Sequence, residues 1–445
     1  MMRLAQFVLL GMLLAGSLSH AQAQPAPNSQ PPSVSNAPTG KIIDYTLPPD
    51  KLQKSHALYI QTTRLQVIDT IYGFLVLLGL LYAGTVAKFR SLAESVTQRK
   101  WLQSFIVIPL FVIAVAVLTI PSDVYHQHLS LQYGLSVQSW GSWWGDWIKN
   151  LLITIVIGTI LLSLLYAMIR RSPKRWWFYG WLISIPIVVF LIFITPIVLE
   201  PLFFKFTPLE QTNPELVTQI ERVVKRGGLE IPPERMYLMN AGTKYTGDNA
   251  YVTGFGATKR VVVWDTTAKH MTTEQVMFVF GHEMGHYVLG HIPKLIIFLL
   301  VVLLIFLYLA YGCSDWVLKR WGVKWHIREF SDLAAVPLLV LLISFFAFVF
   351  TPVNNGFSRY VEHQADTYGL EVTHGLMPDQ KVVAQQAFQI LGENWLEYPD
   401  AGDFYEWWSQ NHPLVKKRMR YAQEYDPWGQ GKDPEFVKRP HSGAN

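Results

Sequence analysis

Cysteine, charge and internal repetition are what this 445-residue sequence has least of: one cysteine, Cys313, and only 16 % charged residues. A single cysteine excludes an internal disulfide and any zinc site built from thiolates, and leaves Cys313 as a small apolar residue near a helix end. Sparse charge beside 51 % hydrophobic residues, 14 % of all residues being aromatic, excludes an ordinary soluble enzyme and points to a polytopic membrane protein. The formal net charge of +5 does not point to nucleic acid, and no such partner is expected, because the basic residues fall in short loops between apolar runs. No repeat relates one set of helices to another, which argues against an inverted-repeat transporter.

Arg3 precedes the apolar run Leu4 to Leu18, and Ala21-Gln22-Ala23 offers small residues for cleavage, so residues 1–23 read as a secretory signal, with an uncleaved anchor as the alternative. Residues 24–53 read as a linker whose first part, with Pro25, Pro27, Pro31, Pro32 and Pro38, is extended and disordered. Six later runs are long enough, or nearly so, to cross a bilayer: about Val67 to Ala87, Leu102 to Ile120, Leu151 to Ile169, Trp176 to Leu199, Leu295 to Tyr311 and Leu333 to Val353. The loops after the first, third and fifth carry Lys88, Arg90, Arg99 and Lys100; Arg170, Arg171, Lys174 and Arg175; and Lys319, Arg320, Lys324 and Arg328. The positive-inside rule makes these cytoplasmic. The loop after the second run has one basic residue, Lys149, and the interfacial cluster Trp140, Trp143, Trp144 and Trp147, so it belongs on the opposite side.

The most informative stretch runs from Thr272 to His291. Thr272 and Gln275 form a capping-box pattern, and Val276, Val279 and Phe280 supply a helical apolar stripe. His282 and His286 lie one turn apart, on one side of that helix. They can share a zinc ion while Glu283 takes a proton from a water that the metal activates, the alternative being a helix that carries two partly exposed histidines. Gly285 is expected to leave room beside the metal. Alternation places this segment outside the cytoplasm.

Asn213-Pro214 opens a helix that Gly227-Gly228 ends, and Arg235–Asn240, Asn249–Phe255 and Lys259–Asp265 read as short strands. An edge strand here offers a place for an extended peptide to add, although packing alone also explains the pattern. Beyond the sixth run, Glu362 and Asp366 are four apart on a helix. They are either a solvated face or a third zinc ligand and a carboxylate that orients a ligating histidine. Two crossings separate them from His286, which returns the chain to the same side. His412, before Pro413, is either a surface histidine or a donor to the oxyanion formed in peptide hydrolysis.

Taken together, Pro201-Leu-Phe-Phe-Lys-Phe-Thr-Pro-Leu, Asn249-Ala-Tyr-Val-Thr-Gly-Phe, Lys259-Arg-Val-Val-Val-Trp-Asp-Thr, His282-Glu-Met-Gly-His with His291, Ser358-Arg-Tyr-Val-Glu-His-Gln-Ala-Asp, and His412-Pro with Arg418 resemble the M48 family of membrane zinc metallopeptidases, typified by the type 1 CAAX prenyl proteases. The resemblance covers about Lys54 to Tyr421. It implies one zinc ion per chain on His282, His286 and Glu362, catalysis by Glu283, support from Asp366, and a site lined by His412 and Arg418. It also implies a substrate strand at Asn249, Ala250, Tyr251 and Gly254.

The implied fold is mainly α, with about six transmembrane helices around a chamber and a small α+β, gluzincin-like peptidase domain split by a transmembrane hairpin. The expected division is 54–200 for a four-helix membrane domain, 201–294 and 354–425 for the two peptidase parts, 295–353 for the hairpin, and 426–445 for a polar tail. The family pattern commonly has Ser before the His-Pro pair, where this chain has Asn411. The expected activity is a membrane metalloendopeptidase of a bacterial inner membrane, its site facing the periplasm, acting on extracytoplasmic or membrane proteins. A catalytically idle, zinc-bound holdase and a genuine CAAX prenyl protease are the competing readings.

Overall fold

The computed structural model describes residues 44–254 and 259–437. The expected signal segment, most of the linker, the turn around Gly256 and the last residues of the tail lie outside them. The principal helices and strands, short single turns such as Leu209–Thr212 aside, are in chain order α1 (Pro49–Tyr82), α2 (Thr85–Val96), α3 (Lys100–Tyr133), α4 (Trp140–Arg171), α5 (Trp176–Ile194), β1 (Phe206–Pro208), α6 (Pro214–Arg226), β2 (Met236–Met239), β3 (Ala250–Thr253), β4 (Arg260–Trp264), α7 (Asp265–His270), α8 (Thr273–Val288), α9 (His291–Trp321), α10 (Val336–Thr373), α11 (Gln380–Asn394), α12 (Asp403–Ser409) and α13 (Val415–Glu424).

Six helices among the described residues are long and apolar enough to cross a membrane, matching the six runs in number and order. They overshoot the runs. A 34-residue helix such as α1 or α3 is about 50 Å long, against about 30 Å of hydrocarbon, so its polar turns project beyond it. Val67, Ile68, Ile71 and Leu75 on α1, and Leu152, Val156 and Ile160 on α4, are exposed, as side chains that face lipid must be.

The apolar stretch of α10 is different: 56 % of it is buried, against 17–28 % for the other five. Its N-terminal half, Val336 to Ile343, packs into the membrane bundle with Leu77, Ile108, Tyr166, Trp176 and Leu307. Its C-terminal half, through Tyr368, Leu370 and Val372, packs into a second core with Ile220, Val263, Phe278, Phe280 and Phe388. The sixth crossing and the helix bearing Glu362 and Asp366 are therefore one rod. Glu362 stands nine residues beyond Val353, about 13 Å further along the axis.

The sheet has four strands in the order β1-β2-β4-β3. β4 pairs parallel to β2 and antiparallel to β3, and Val261, Val262 and Val263 are fully buried, which explains an unbroken apolar run at a central strand. β3 is an edge strand that runs alongside α8. The three expected strands are present with trimmed ends. β1, three residues long and ending in Pro208, pairs with β2 and has no sequence signal of its own.

Cross-connections fix which loops share a side. Ser136 forms a bridge to Tyr245, and buried Lys244 reaches Asp146 on α4 at 2.5 Å and the Phe203 carbonyl at 2.7 Å, which ties the loop after α3 to the sheet. At the other end, Arg90 on α2 pairs with Asp332, and Arg328 grips both oxygens of Glu94 at 2.6 and 3.0 Å. The basic loops after the first and fifth runs thus meet, and the Trp-rich loop meets the sheet, as the charge pattern requires.

Candidate active site

The site forms where α8 lies against α10. α8 begins at Thr272 with the full capping box: the Thr272 hydroxyl accepts from the Gln275 amide and the Gln275 side chain accepts from the Thr272 amide. The two helices touch along a seam of small residues. A Cβ on Gly285 would lie 3.0 Å from Tyr368 Cβ and 3.2 Å from Ala365 Cα, so Gly285 makes room for α10 rather than for the metal, which corrects the sequence expectation. Gly369 repeats this from the other side, against the His282 backbone.

This approach brings His282, His286 and Glu362 together. The two Nε2 atoms are 3.1 Å apart, His282 Nε2 is 3.3 Å from Glu362 Oε2, and His286 Nε2 is 3.5 Å from Glu362 Oε1. Nitrogen and oxygen ligands on a tetrahedral zinc ion, at about 2.0–2.1 Å from it, are separated by about 3.3 Å. The residues fit the metal on a second count: Glu362 Oε2 is buried with no hydrogen-bond donor, a costly condition that a cation relieves. Burial opposes a charge on His282, yet Asp366 and Glu362 outweigh it and hold the ring up to about 10, so positive charge is called for where that nitrogen points. Burial pushes His286 the other way, down to about 3. Among the described residues this is the one cluster of three such groups with metal-ligand spacing.

Glu283 sits beside the cluster, with Oε1 3.9 Å from His282 Nε2, and burial pushes its carboxyl up to about 7. Asp366 Oδ1 accepts from His282 Nδ1 at 2.8 Å. Arg418 binds Asp366 with two donors, Nη2 at 2.6 Å and Nε at 2.9 Å, and lies over the Phe388 ring. Arg418 Nη2 also lies 3.4 Å from His282 Nδ1, so the guanidinium stands behind that ring, engaged with Asp366.

His412 Nε2 is 3.2 Å from Glu362 Oε1, and its Nδ1 is 2.9 Å from Asn411 Oδ1. Two residues of α10 hold the segment that delivers it: Arg359 donates to the carbonyls of Glu406 and Gln410, and Asn355 to that of Trp408. Sequence reasoning assigns no role to Arg359 or Asn355. Their signal is spacing: Asn355, Arg359 and Glu362 follow one another at four and three residues along one helix.

Asn249 is clamped by Thr267, whose hydroxyl accepts from its amide at 2.7 Å and donates to its carbonyl at 2.8 Å. Ala250 is buried, and the Tyr251 hydroxyl donates to Glu200 at 2.9 Å, beneath the sheet. What these residues offer a ligand is backbone at the free edge of β3, up to Gly254 with φ +88°.

Residues 34–205 match the family described as CAAX prenyl protease N-terminal, five membrane helices, and residues 210–426 match Peptidase family M48. The chain is 33 % identical over 345 residues to an uncharacterized metalloprotease, YhfN, of Bacillus subtilis, covering 78 % of this chain and 79 % of that one. It is 32 % identical to the CAAX prenyl protease 1 homolog of Dictyostelium discoideum, over 59 % of this chain and 61 % of the relative. Identity to the human CAAX prenyl protease 1 homolog is 25 %, over 72 % and 73 %. In fold it is similar to the crystal structure of S. mikatae Ste24p, with a TM-score of 0.73 at 21 % identity, covering 84 % of this chain and 89 % of that one.

Proposed function

The chain belongs to peptidase family M48, and from that premise we propose an integral-membrane zinc metalloendopeptidase in which His282, His286 and Glu362 hold one zinc ion and Glu283 is the general base. The observation that carries this reading is the convergence of three ligand atoms from two helices parted by a membrane hairpin, all within 4.8 Å of one another.

Zinc held there supplies a Lewis acid that makes water a nucleophile near neutral pH and polarises the carbonyl it attacks. Glu283, next to the ligands yet not one of them, takes the proton from the attacking water and passes it to the leaving amine. Asp366 fixes the His282 ring with Nε2 toward the site, and Arg418 holds Asp366. His412, whose Nε2 lies beside the Glu362 carboxylate, is the side chain placed to donate to the oxyanion as it develops. An extended peptide adds to the open edge of β3, its backbone paired between Ala250 and Gly254.

The loop charges favour a site on the periplasmic face of a bacterial inner membrane, hence extracytoplasmic or membrane proteins as substrates rather than prenylated cytosolic ones. The test uses the purified full chain in detergent, stripped by chelator. Cleavage of an unfolded polypeptide is expected to vanish and to return with one equivalent of zinc; cleavage that survives stripping would defeat the reading.

A further inference from the structure

The two ligating rings are supported differently. His282 is backed by a carboxylate. His286 is backed by a third histidine: His291 Nδ1 is 3.0 Å from His286 Nδ1, and the rings meet near-perpendicular, at 73°. The meeting depends on the turn between α8 and α9, where Gly290 adopts φ +66° and starts the new helix at His291. That backbone conformation strains a residue with a side chain. His291 is buried, and its other nitrogen, Nε2, is 3.1 Å from Gln364 Oε1; Gln364 Nε2 in turn donates to the Tyr360 hydroxyl at 3.1 Å.

We propose that His291 and Gln364 are positioning residues that orient His286 as a zinc ligand through a one-directional hydrogen-bond chain. The inference rests on His286 being a ligand through Nε2, as in the function proposed above. The argument is one of donors and acceptors. A neutral imidazole that gives Nε2 to a metal carries its proton on Nδ1. Of two Nδ1 atoms in contact, one must donate and the other accept, so His291 accepts at Nδ1 and carries its own proton on Nε2. That proton needs an acceptor, and Gln364 Oε1 is in place; the amide nitrogen then points at the Tyr360 oxygen, which has lone pairs free. Every link has one donor and one acceptor, and reversing any one of them breaks the chain.

The consequence is an asymmetric site. Asp366, locked by Arg418, gives His282 an anionic partner, whereas His286 has a neutral one, so the second ring is held in place with less added basicity. Partners of this kind are worth about 10- to 100-fold in metal affinity.

The experiment titrates the chelator-stripped full chain with zinc in competition with a chromophoric chelator, and records the visible spectrum of the cobalt(II)-loaded protein. His291→Leu is expected to weaken zinc about 10- to 100-fold and to move the cobalt bands. His291→Gln, which can accept from His286 and donate to Gln364, is expected to recover most of the affinity and the wild-type spectrum. At half-exposed Gln364, where folding is less at risk, Gln364→Glu keeps the acceptor and is expected to retain zinc, while Gln364→Met removes it and loosens zinc. Wild-type affinity in His291→Leu, or equal losses in the Leu and Gln variants, would overturn the inference while leaving the ligand set intact. A wild-type chain that takes up no zinc would overturn the metal site itself, and this inference with it.

Discussion

Gly369 and His282 meet backbone to backbone: a Cβ on Gly369 would lie 3.0 Å from the His282 amide nitrogen and 3.2 Å from its Cα. The approach that lets Glu362 reach the two histidines is therefore set by a missing methyl group seven residues further along α10. Gly369→Ala must push α8 and α10 apart by a few tenths of an ångström, at a cost of about 1–3 kcal/mol. Weaker zinc binding and a lower melting temperature are expected. Gly356→Ala, on the same helix with only the Arg359 guanidinium 3.9 Å away, serves as the control and should keep both.

Asp366 joins a ligand to a buried arginine. Asp366→Asn keeps the shape but removes the charge that Arg418 neutralises, and breaking one partner of a buried pair costs about 3–5 kcal/mol. Zinc affinity is expected to fall about 10- to 100-fold as the His282 ring loses its anionic acceptor. Calorimetric melting and chelator competition on the same sample read the two effects separately.

Glu397 gives a pH signature away from the ligands. Burial pushes its carboxyl up to about 7, although Oε1 accepts from the Val415 amide at 2.6 Å. Because the folded value lies above the ordinary 4.5, its contribution to stability is complete below about pH 4.5 and is lost as pH rises through 7. Wild type, held in saturating zinc, is expected to lose more melting temperature between pH 5 and 8 than Glu397→Gln, which accepts the same hydrogen bond without titrating. Parallel curves for the two would contradict this.

Orientation is open to a direct test. Reporters that act only outside the cytoplasm, fused after Val437, are expected to be active, and the same reporters placed after Val96 inactive. The opposite pattern would restore a cytosolic active site and substrates of the prenylated class.

Much of this was legible beforehand because the relevant signals are local. Helix α8, its capping box and the one-turn spacing of His282 and His286 all follow from a dozen consecutive residues. Crossing number followed from hydropathy, and counting crossings returned Glu362 to the side of the histidines, while its place among the ligands was what the family resemblance implied. What stayed hidden depends on residues far apart in sequence. Nothing near Arg418 says that its guanidinium is spent on Asp366, 52 residues away. The place of Gly285 in a helix seam needs Ala365 and Tyr368 to be seen beside it. The continuity of the sixth crossing with the Glu362 helix was obscured by Pro352, which α10 carries inside its length. Lipid-facing and core-facing apolar residues look alike to hydropathy, which is why the buried character of α10 could not be told from the other five runs.

The central claim is that Glu283 does chemistry in a site whose metal is held by others. Glu283→Gln in the full-length protein, assayed for bound zinc by mass spectrometry and for cleavage of an unfolded polypeptide, tests it most directly. One zinc ion per chain with cleavage reduced at least about a hundredfold is expected; cleavage at the wild-type rate with zinc in place would contradict it.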